Sequence, residues 1–448
     1  MKELIEHYVK RFQGIDEQRR GKPRTTALEI KFCLTNKRGE SPSPSDVEGL
    51  WHFLAGRGWS LLKDPYAEKP VGVKREVAGM DERIGLATGE SQIELSLIPH
   101  HSLHDSRTHL SQIRDTIRQY TQQCDLALLC LGVQPITPPA KRVRRGARHQ
   151  FWGNIGGTDE VYLLGYIADS HVHVDMSLAE AVEAVNTFHA LAGAQIALTA
   201  NSTLWCGSID WDYKDIKEIF WNRWLPHPPN NGRIGISTRP FDSLEDYINA
   251  VCSFRPVFVS RDNKSIGIYE YNTFKDYFHA FPALGKTAKG KTRRLQPSFA
   301  DIDLHDTFYW WNARISHFFT LENRANSQQP PQEIMTIPAL TLGITENLAE
   351  VETLLQQCGY TWNELANSRE SAIRRGLEAT VGSEPITGLC QKMLIAAESG
   401  LSKRGLGEEG FLSPLWQRLQ ERECPADKVR KDFSEGGIER VVERYSFV

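Results

Sequence analysis

Four short segments alternate apolar and polar residues with a period of two, and this pattern constrains the fold more than any other feature. In "TALEIKFCL" Leu28, Ile30 and Phe32 alternate with Glu29 and Lys31, and in "SQIELSLI" Ile93, Leu95 and Leu97 alternate with Gln92, Glu94 and Ser96. "HVHVD" (171–175) and "TLENR" (320–324) repeat the period. Such a period belongs to strands with one buried and one polar face, not to helices. In one mostly antiparallel sheet backed by helices, the polar faces would merge into a surface carrying Glu29, Lys31, Gln92, Glu94, His171, His173, Asp175, Glu322 and Arg324.

A solvated sheet face alternates too, and that reading suffices for any single strand. The choice of residues points further. Paired carboxylates, histidines and arginines are costly neighbours unless a cation or an anionic ligand organises them. On its own, His171, His173 and Asp175 resemble a transition-metal site with imidazole ligands. Among three glutamate-bearing strands they read instead as one wall of a Mg²⁺-nucleotide site, because hard Mg²⁺ takes oxygen ligands and bridges phosphates. Asp175 is then the ligand candidate, and the histidines face phosphate or substrate.

The 448 residues suffice for one large catalytic domain with extensions or for two or three ordinary ones. A net charge of −3 gives no electrostatic reason to expect nucleic acid or an anionic membrane as partner. No apolar run reaches the roughly 18 residues of a membrane span, and "MKELIEHYVKRF" reads as an amphipathic helix, so a cytoplasmic location is expected. Eight scattered cysteines without a C-x-x-C pair read as reduced packing thiols.

Helical periodicity is plain in 107–123, with Asp105 and Ser106 as cap candidates, in 177–198, and from about 345 onward. This gives an α+β chain: a mostly antiparallel sheet backed by helices over residues 1–345, and a helical C-terminal subdomain over 346–448. Turn-rich loops fall at 36–46, 141–148, 225–233 and 285–298.

Three local motifs compete for attention. "GKTAKGKT" (285–292) matches the phosphate-loop pattern, but an aromatic, helical segment precedes it and a Pro-interrupted polar one follows. A basic loop that places Lys291 over bound phosphates and an ordinary solvated loop both remain open. His100, His101, His104, Asp105 and His109 lack ligand spacing and read as structural or surface residues. "KRVRRGAR" (141–148) lacks the interleaved aromatics of a nucleic-acid site and reads as a solvated loop.

Taken in order, "QIELS" (92–96), "HVHVD" (171–175), "ALTANSTLWCG" (197–207) and "YWWNARISHFFTLENRAN" (309–326) resemble the glutamate-cysteine ligase type 2 superfamily, most of all its bacterial carboxylate-amine ligase branch, over about residues 25–345. The resemblance implies a glutamine-synthetase-like fold, a cupped, mostly antiparallel sheet with helices on its outer face, binding ATP and Mg²⁺ on the concave side. It also implies an ADP-forming reaction in which ATP phosphorylates an amino-acid-like carboxylate and an amine displaces phosphate. Glu29, Glu94 and Glu322 match Mg²⁺-binding carboxylates; Arg314 and Arg324 match arginines near phosphate or substrate. His173 is expected at the reacting groups, with His171, Trp205 and Asn201 on substrate and Lys31, Gln92 and Arg324 on the nucleotide. The partners implied are small-molecule carboxylate and amine substrates, with a homodimer as the family expectation.

The departures from the pattern are Lys31 for its second glutamate, Thr88 for a carboxylate, Asp175 for glycine, Thr203 for proline and Asn326 for aspartate. They keep two alternatives open: a ligase with a natural-product substrate other than glutamate, and a degenerate ligase fold serving as a nucleotide- or partner-binding module.

Overall fold

The computed structural model describes residues 2–64, 69–139, 151–157, 160–228 and 230–447. Its organising element is an antiparallel sheet of nine strands: β1 (Thr26–Asn36), β2 (Ser60–Lys63), β3 (Pro70–Val77), β4 (Met80–Leu86), β5 (Gln92–Ser96), β6 (Leu126–Leu129), β7 (Ser170–Asp175), β8 (Ala313–Ile315) and β9 (Thr320–Asn323). The order is β8-β9-β7-β1-β5-β4-β3-β2, with β6 beside the second half of β1. β1 is therefore the axis of the sheet. Its register sets Glu29 opposite His171 and Lys31 opposite Glu94, while His173 lies opposite Glu322 and Glu322 opposite Arg314. Directly opposed residues share a face, so five strands, β1, β5, β7, β8 and β9, contribute to one polar surface.

The other face is the core. Leu28, Ile30, Phe32, Ile93, Leu95, Val172, Val174 and Leu321 are essentially inaccessible and pack towards helices that include Leu103–Gln123 and Thr336–Thr345. Each such aliphatic side chain contributes about 1.5–3 kcal/mol when fully buried, which fixes the register, since a slip of one residue would exchange the two faces.

The helix expected at 107–123 begins earlier, at Leu103, because the Ser102 side chain accepts from the His104 N–H and caps it. Asp105 and Ser106 lie in its first turn. The helix expected over 177–198 starts at Ala181 and breaks into Ala181–Ala190 and Ala192–Thr199 at Leu191. Ser177 and Glu180 bond each other reciprocally just before it, so the chain turns there.

Residues beyond 345 are mainly helical. They share the core of the sheet: Ile386–Arg404 packs on Thr336–Thr345, and at the C-terminal end the Phe447 ring stacks on Phe32 at 4.7 Å. Among the described residues no helix is long and apolar enough to cross a membrane.

The polar face is not open to solvent as the strand pattern alone implies. A second apolar cluster, including Trp152, Leu164, Ile167, Phe220, Trp224 and Trp310, is built from segments outside the sheet. With this cluster beside it, the polar face carries Lys31, Gln92, His171 and Glu322 at 7%, 3%, 1% and 1% exposure.

Candidate functional site

Polar side chains of β1, β5, β7 and β8, with Asp169 and Arg324 just beyond the strand ends, line a cavity of about 180 Å³; His173 and Glu322 lie on the same sheet face but outside its lining. Lys31 is the hub: its Nζ lies 2.8 Å from Glu29 Oε1, 2.8 Å from Asp169 Oδ1 and 3.8 Å from Glu94 Oε2. His171 Nδ1 lies 2.9 Å from Glu29 Oε1, with its Nε2 2.8 Å from Asp169 Oδ2. Glu322 takes Arg314 Nε at 2.7 Å on one oxygen and Arg324 Nη1 on the other. Arg314 is held in turn by donating to the Tyr309 carbonyl at 2.8 Å.

Burial by itself would raise the carboxylates' pKa values. At Glu29 the Lys31 ammonium and hydrogen bonds from His171 and His173 outweigh it, and at Glu322 Arg314, Arg324 and His173 do, so both stay well below the usual carboxylate range. Burial would likewise lower Lys31, but Asp169, Glu29 and Glu94 hold its ammonium above its ordinary value. Setting the histidines aside, four carboxylates (Glu29, Glu94, Asp169 and Glu322) face three fixed cations (Lys31, Arg314 and Arg324), a net of −1.

Glu29, His173 and Glu322 each offer one ligand atom, all within 4.8 Å of one another. Two hard carboxylate oxygens and one imidazole on opposed strands fit a divalent cation, and the two oxygens favour Mg²⁺ or Mn²⁺. His173, expected at the reacting groups, is thus the third member of this set. Glu94 lines the cavity but lies outside the set.

Four expected residues are placed elsewhere. Asp175, expected as a metal ligand, accepts from the Thr25 N–H and hydroxyl and pairs with Arg19 at 3.0 Å, because the end of β7 abuts that segment. Asn201, expected on substrate, donates to the carbonyls of Cys130 and Gln328 and serves as a strut. Trp205 packs edge-on to Phe220 at 5.1 Å in the second apolar cluster and does not line the cavity. Lys291 is exposed in the turn of the hairpin Ala283–Thr287 and Thr292–Leu295. A strand follows it where a phosphate loop requires a helix, so no helix N-terminus is there to cradle phosphate. The basic run 141–148 lies outside the described residues.

Gln92 lines the cavity but spends its amide on structure. Its Oε1 accepts from the N–H groups of Thr88 and Gly89, and its Nε2 donates to the Ile167 carbonyl. It thereby clamps the β4–β5 turn to the segment before β7. A Cβ on Gly89 would lie 2.0 Å from the Gly165 carbonyl oxygen, so this approach requires glycine.

Asp169 was missed although its signal was present: "DSHVHVD" carries the period of two back from His171 to Asp169. The tryptophans Trp152, Trp221 and Trp310, with Thr307 and His317, also line the cavity. They come from three distant segments, and no local pattern connects them.

Behind Arg314 lies a buried polar chain. Tyr309 donates to Asp306 at 2.9 Å, the Tyr309 and Tyr247 hydroxyls bond each other, and the Ile315 N–H donates to Tyr247 at 3.0 Å. Burial pushes the Asp306 carboxyl up to about 7 from 3.8, with Asp303 adding to the rise and the Tyr309 hydrogen bond, Arg314 and Arg11 opposing it. A raised carboxyl stabilises the fold below its unfolded pKa and loses that contribution as pH climbs through about 7. Wild-type stability is therefore expected to fall by up to about 4 kcal/mol on this account between pH 4 and 8, and Asp306→Asn to flatten the profile. Urea unfolding across that range checks it, and an unchanged slope in the variant would remove Asp306 as the cause.

The architecture matches solved ligase structures. The glutamate–cysteine ligase of Francisella tularensis, solved in complex with AMP, superposes with a TM-score of 0.59 at 11% identity over 94% of this chain and 87% of that one. A bifunctional glutathione synthetase from Pasteurella multocida gives 0.54 at 13% identity over 94% of this chain and 52% of that one. The fold class is thus that of the glutamate–cysteine ligases and glutathione synthetases.

The sequence model of glutamate-cysteine ligase family 2 matches residues 64–444, and this chain belongs to that family. The chloroplastic glutamate–cysteine ligase of Nicotiana tabacum is 22% identical over 374 residues, 78% of this chain and 67% of that protein. A putative glutamate–cysteine ligase 2-2 of Mycobacterium sp. (strain KMS) is 27% identical over 172 residues, 37% of this chain and 46% of that one. The family match extends through the C-terminal helices, past the 345 expected from the motifs, and begins after β1, the strand bearing Glu29 and Lys31.

Proposed function

We propose that this chain is an ATP-dependent, ADP-forming carboxylate–amine ligase acting through an acyl phosphate. The observation that carries this reading is the set Glu29, His173 and Glu322 beside two arginines that share one carboxylate. A divalent cation held by Glu29, Glu322 and His173 would supply charge neutralisation at the β- and γ-phosphates of ATP. Arg314 and Arg324 neutralise charge on the transferred phosphoryl group, and the cavity holds the substrate carboxylate in line with it. A carboxylate oxygen attacks the γ-phosphorus and ADP leaves; the amine then attacks the acyl carbon, phosphate leaves, and the amine loses a proton. Asp169 Oδ2 lies 2.8 Å from His171 Nε2 on the same floor.

The departure at Lys31 fits the same scheme. Glutamate there would leave five carboxylates facing two cations, whereas the ammonium leaves a net of −1. Lys31 thus acts as a tethered cation that lowers the demand for metal.

One observation favours the module reading: those cations already neutralise most of the carboxylate charge. ADP release with ATP, Mg²⁺ and an acid, using hydroxylamine as the amine, separates the two. A ligase yields a hydroxamate from the trapped acyl phosphate. ATP binding without hydroxamate from any acid would favour the module.

A further inference from the structure

Resting on the ligase reading, we infer that the carboxylate substrate carries an aromatic or bulky flat side chain, seated against the tryptophan wall of the cavity. The cavity is chemically two-sided. Its sheet floor carries Lys31, Arg314 and Arg324 among the carboxylates Glu29, Glu94 and Asp169, so the reacting carboxyl and the transferred phosphoryl group meet at the charged end of the cavity. The apolar part of the lining is Trp152, Trp221 and Trp310 with Leu164 and Ile167.

The rings form a preorganised unit. Trp221 stacks on Trp310 with centroids 5.5 Å apart, and Trp152 meets Trp310 edge-on at 5.3 Å. Trp224 sits behind both, 4.9 Å from Trp310 and 5.4 Å from Trp152. Because the rings are fixed before a ligand arrives, a flat apolar group gains contact area there without the cost of ordering the wall.

A glutamate-like side chain finds no comparable partner. Among the described residues lining the cavity, His317 is the one titratable side chain outside the strand-borne floor and its flanking residues. A second carboxylate on this wall would be desolvated against indole rings, a costly placement for an unpaired charge. Size argues the same way: about 180 Å³ lies below the roughly 300–1,000 Å³ of sites for larger ligands. It suits an amino-acid-sized acid, with the nucleotide approaching from outside this cavity.

The test runs hydroxamate formation with ATP, Mg²⁺ and hydroxylamine over glutamate, phenylalanine, tryptophan and 3-phenylpropionate, alongside ATP affinity by calorimetry. Aromatic acids are expected to exceed glutamate in kcat/KM by at least about tenfold. Trp221→Ala is expected to raise the KM for the aromatic acid by about tenfold with ATP affinity unchanged. Trp221→Phe, which keeps a ring, restores most of the loss and covers the case in which the alanine variant folds poorly.

Preference for glutamate would leave the ligase reading standing and overturn this inference. So would a Trp221→Ala variant that loses ATP affinity while keeping its acid KM, because the wall would then hold adenine. If no acid yields hydroxamate, the ligase reading falls, and calorimetric titration of 3-phenylpropionate into the intact protein decides the inference: binding weakened by Trp221→Ala supports it, and no binding overturns it.

Discussion

Exchanging Glu322 for glutamine is expected to lower hydroxamate formation by about a thousandfold or more, the scale seen when a preorganised electrostatic group is removed from a reaction centre. Glu322 is 1% exposed and carries three duties. It orients Arg314, orients Arg324, and supplies one oxygen of the Glu29, His173 and Glu322 set. Glutamine preserves the shape while leaving two buried guanidinium groups without their counter-charge. The fold should therefore lose about 3–5 kcal/mol, the range for breaking a buried pair from one side. ATP affinity and urea unfolding measured together separate the two effects. Because the Glu322 pKa is held well below the usual range, its carboxylate stays charged from pH 5 upward. Its contribution is lost only as pH falls through the depressed value, so the deficit should be constant from pH 6 to 9. A folded Glu322→Gln protein with wild-type turnover would sink the proposed site.

Replacing Lys31 with methionine should have the second-largest effect. The methylene stem survives, but Glu29, Asp169 and Glu94 lose the ammonium that lies 2.8, 2.8 and 3.8 Å from them. Four carboxylates would then face two cations, a net of −2. Without metal the variant should unfold about 3–5 kcal/mol more easily. Added Mg²⁺ should recover part of that loss and shift the variant's melting temperature more than the wild type's, because a binding ion stabilises in proportion to its affinity. Lys31→Glu should show the same trend more strongly in the Mg²⁺ dependence of turnover. Equal Mg²⁺ responses in wild type and variants would remove Lys31 from the role of tethered cation.

Much of the sheet face was legible because strand periodicity is local. Alternation of Leu28, Ile30 and Phe32 with Glu29 and Lys31, and its echoes around Glu94, His171 and Glu322, names both the core face and the polar face without knowledge of pairing. Asp175 obeys the same alternation yet left the site, because the strand end carries it beside Thr25 and Arg19. Periodicity assigns a face but not a position along it. Asn201 and Trp205 belong to a shared motif and still turned out to support backbone and core, since a motif records common fold as readily as common chemistry.

The sequence by itself determined the sheet, the polar row and the family, because these rest on residues two apart along a strand and on short contiguous motifs. Tertiary structure alone decided which charges touch. The Lys31 hub, the sharing of Glu322 by two arginines, and the tryptophan wall assembled from Trp152, Trp221 and Trp310 all depend on strand order and on long-range packing. A buried ion pair forms only where the register brings two side chains within a few ångströms, and no spacing along the chain encodes that distance.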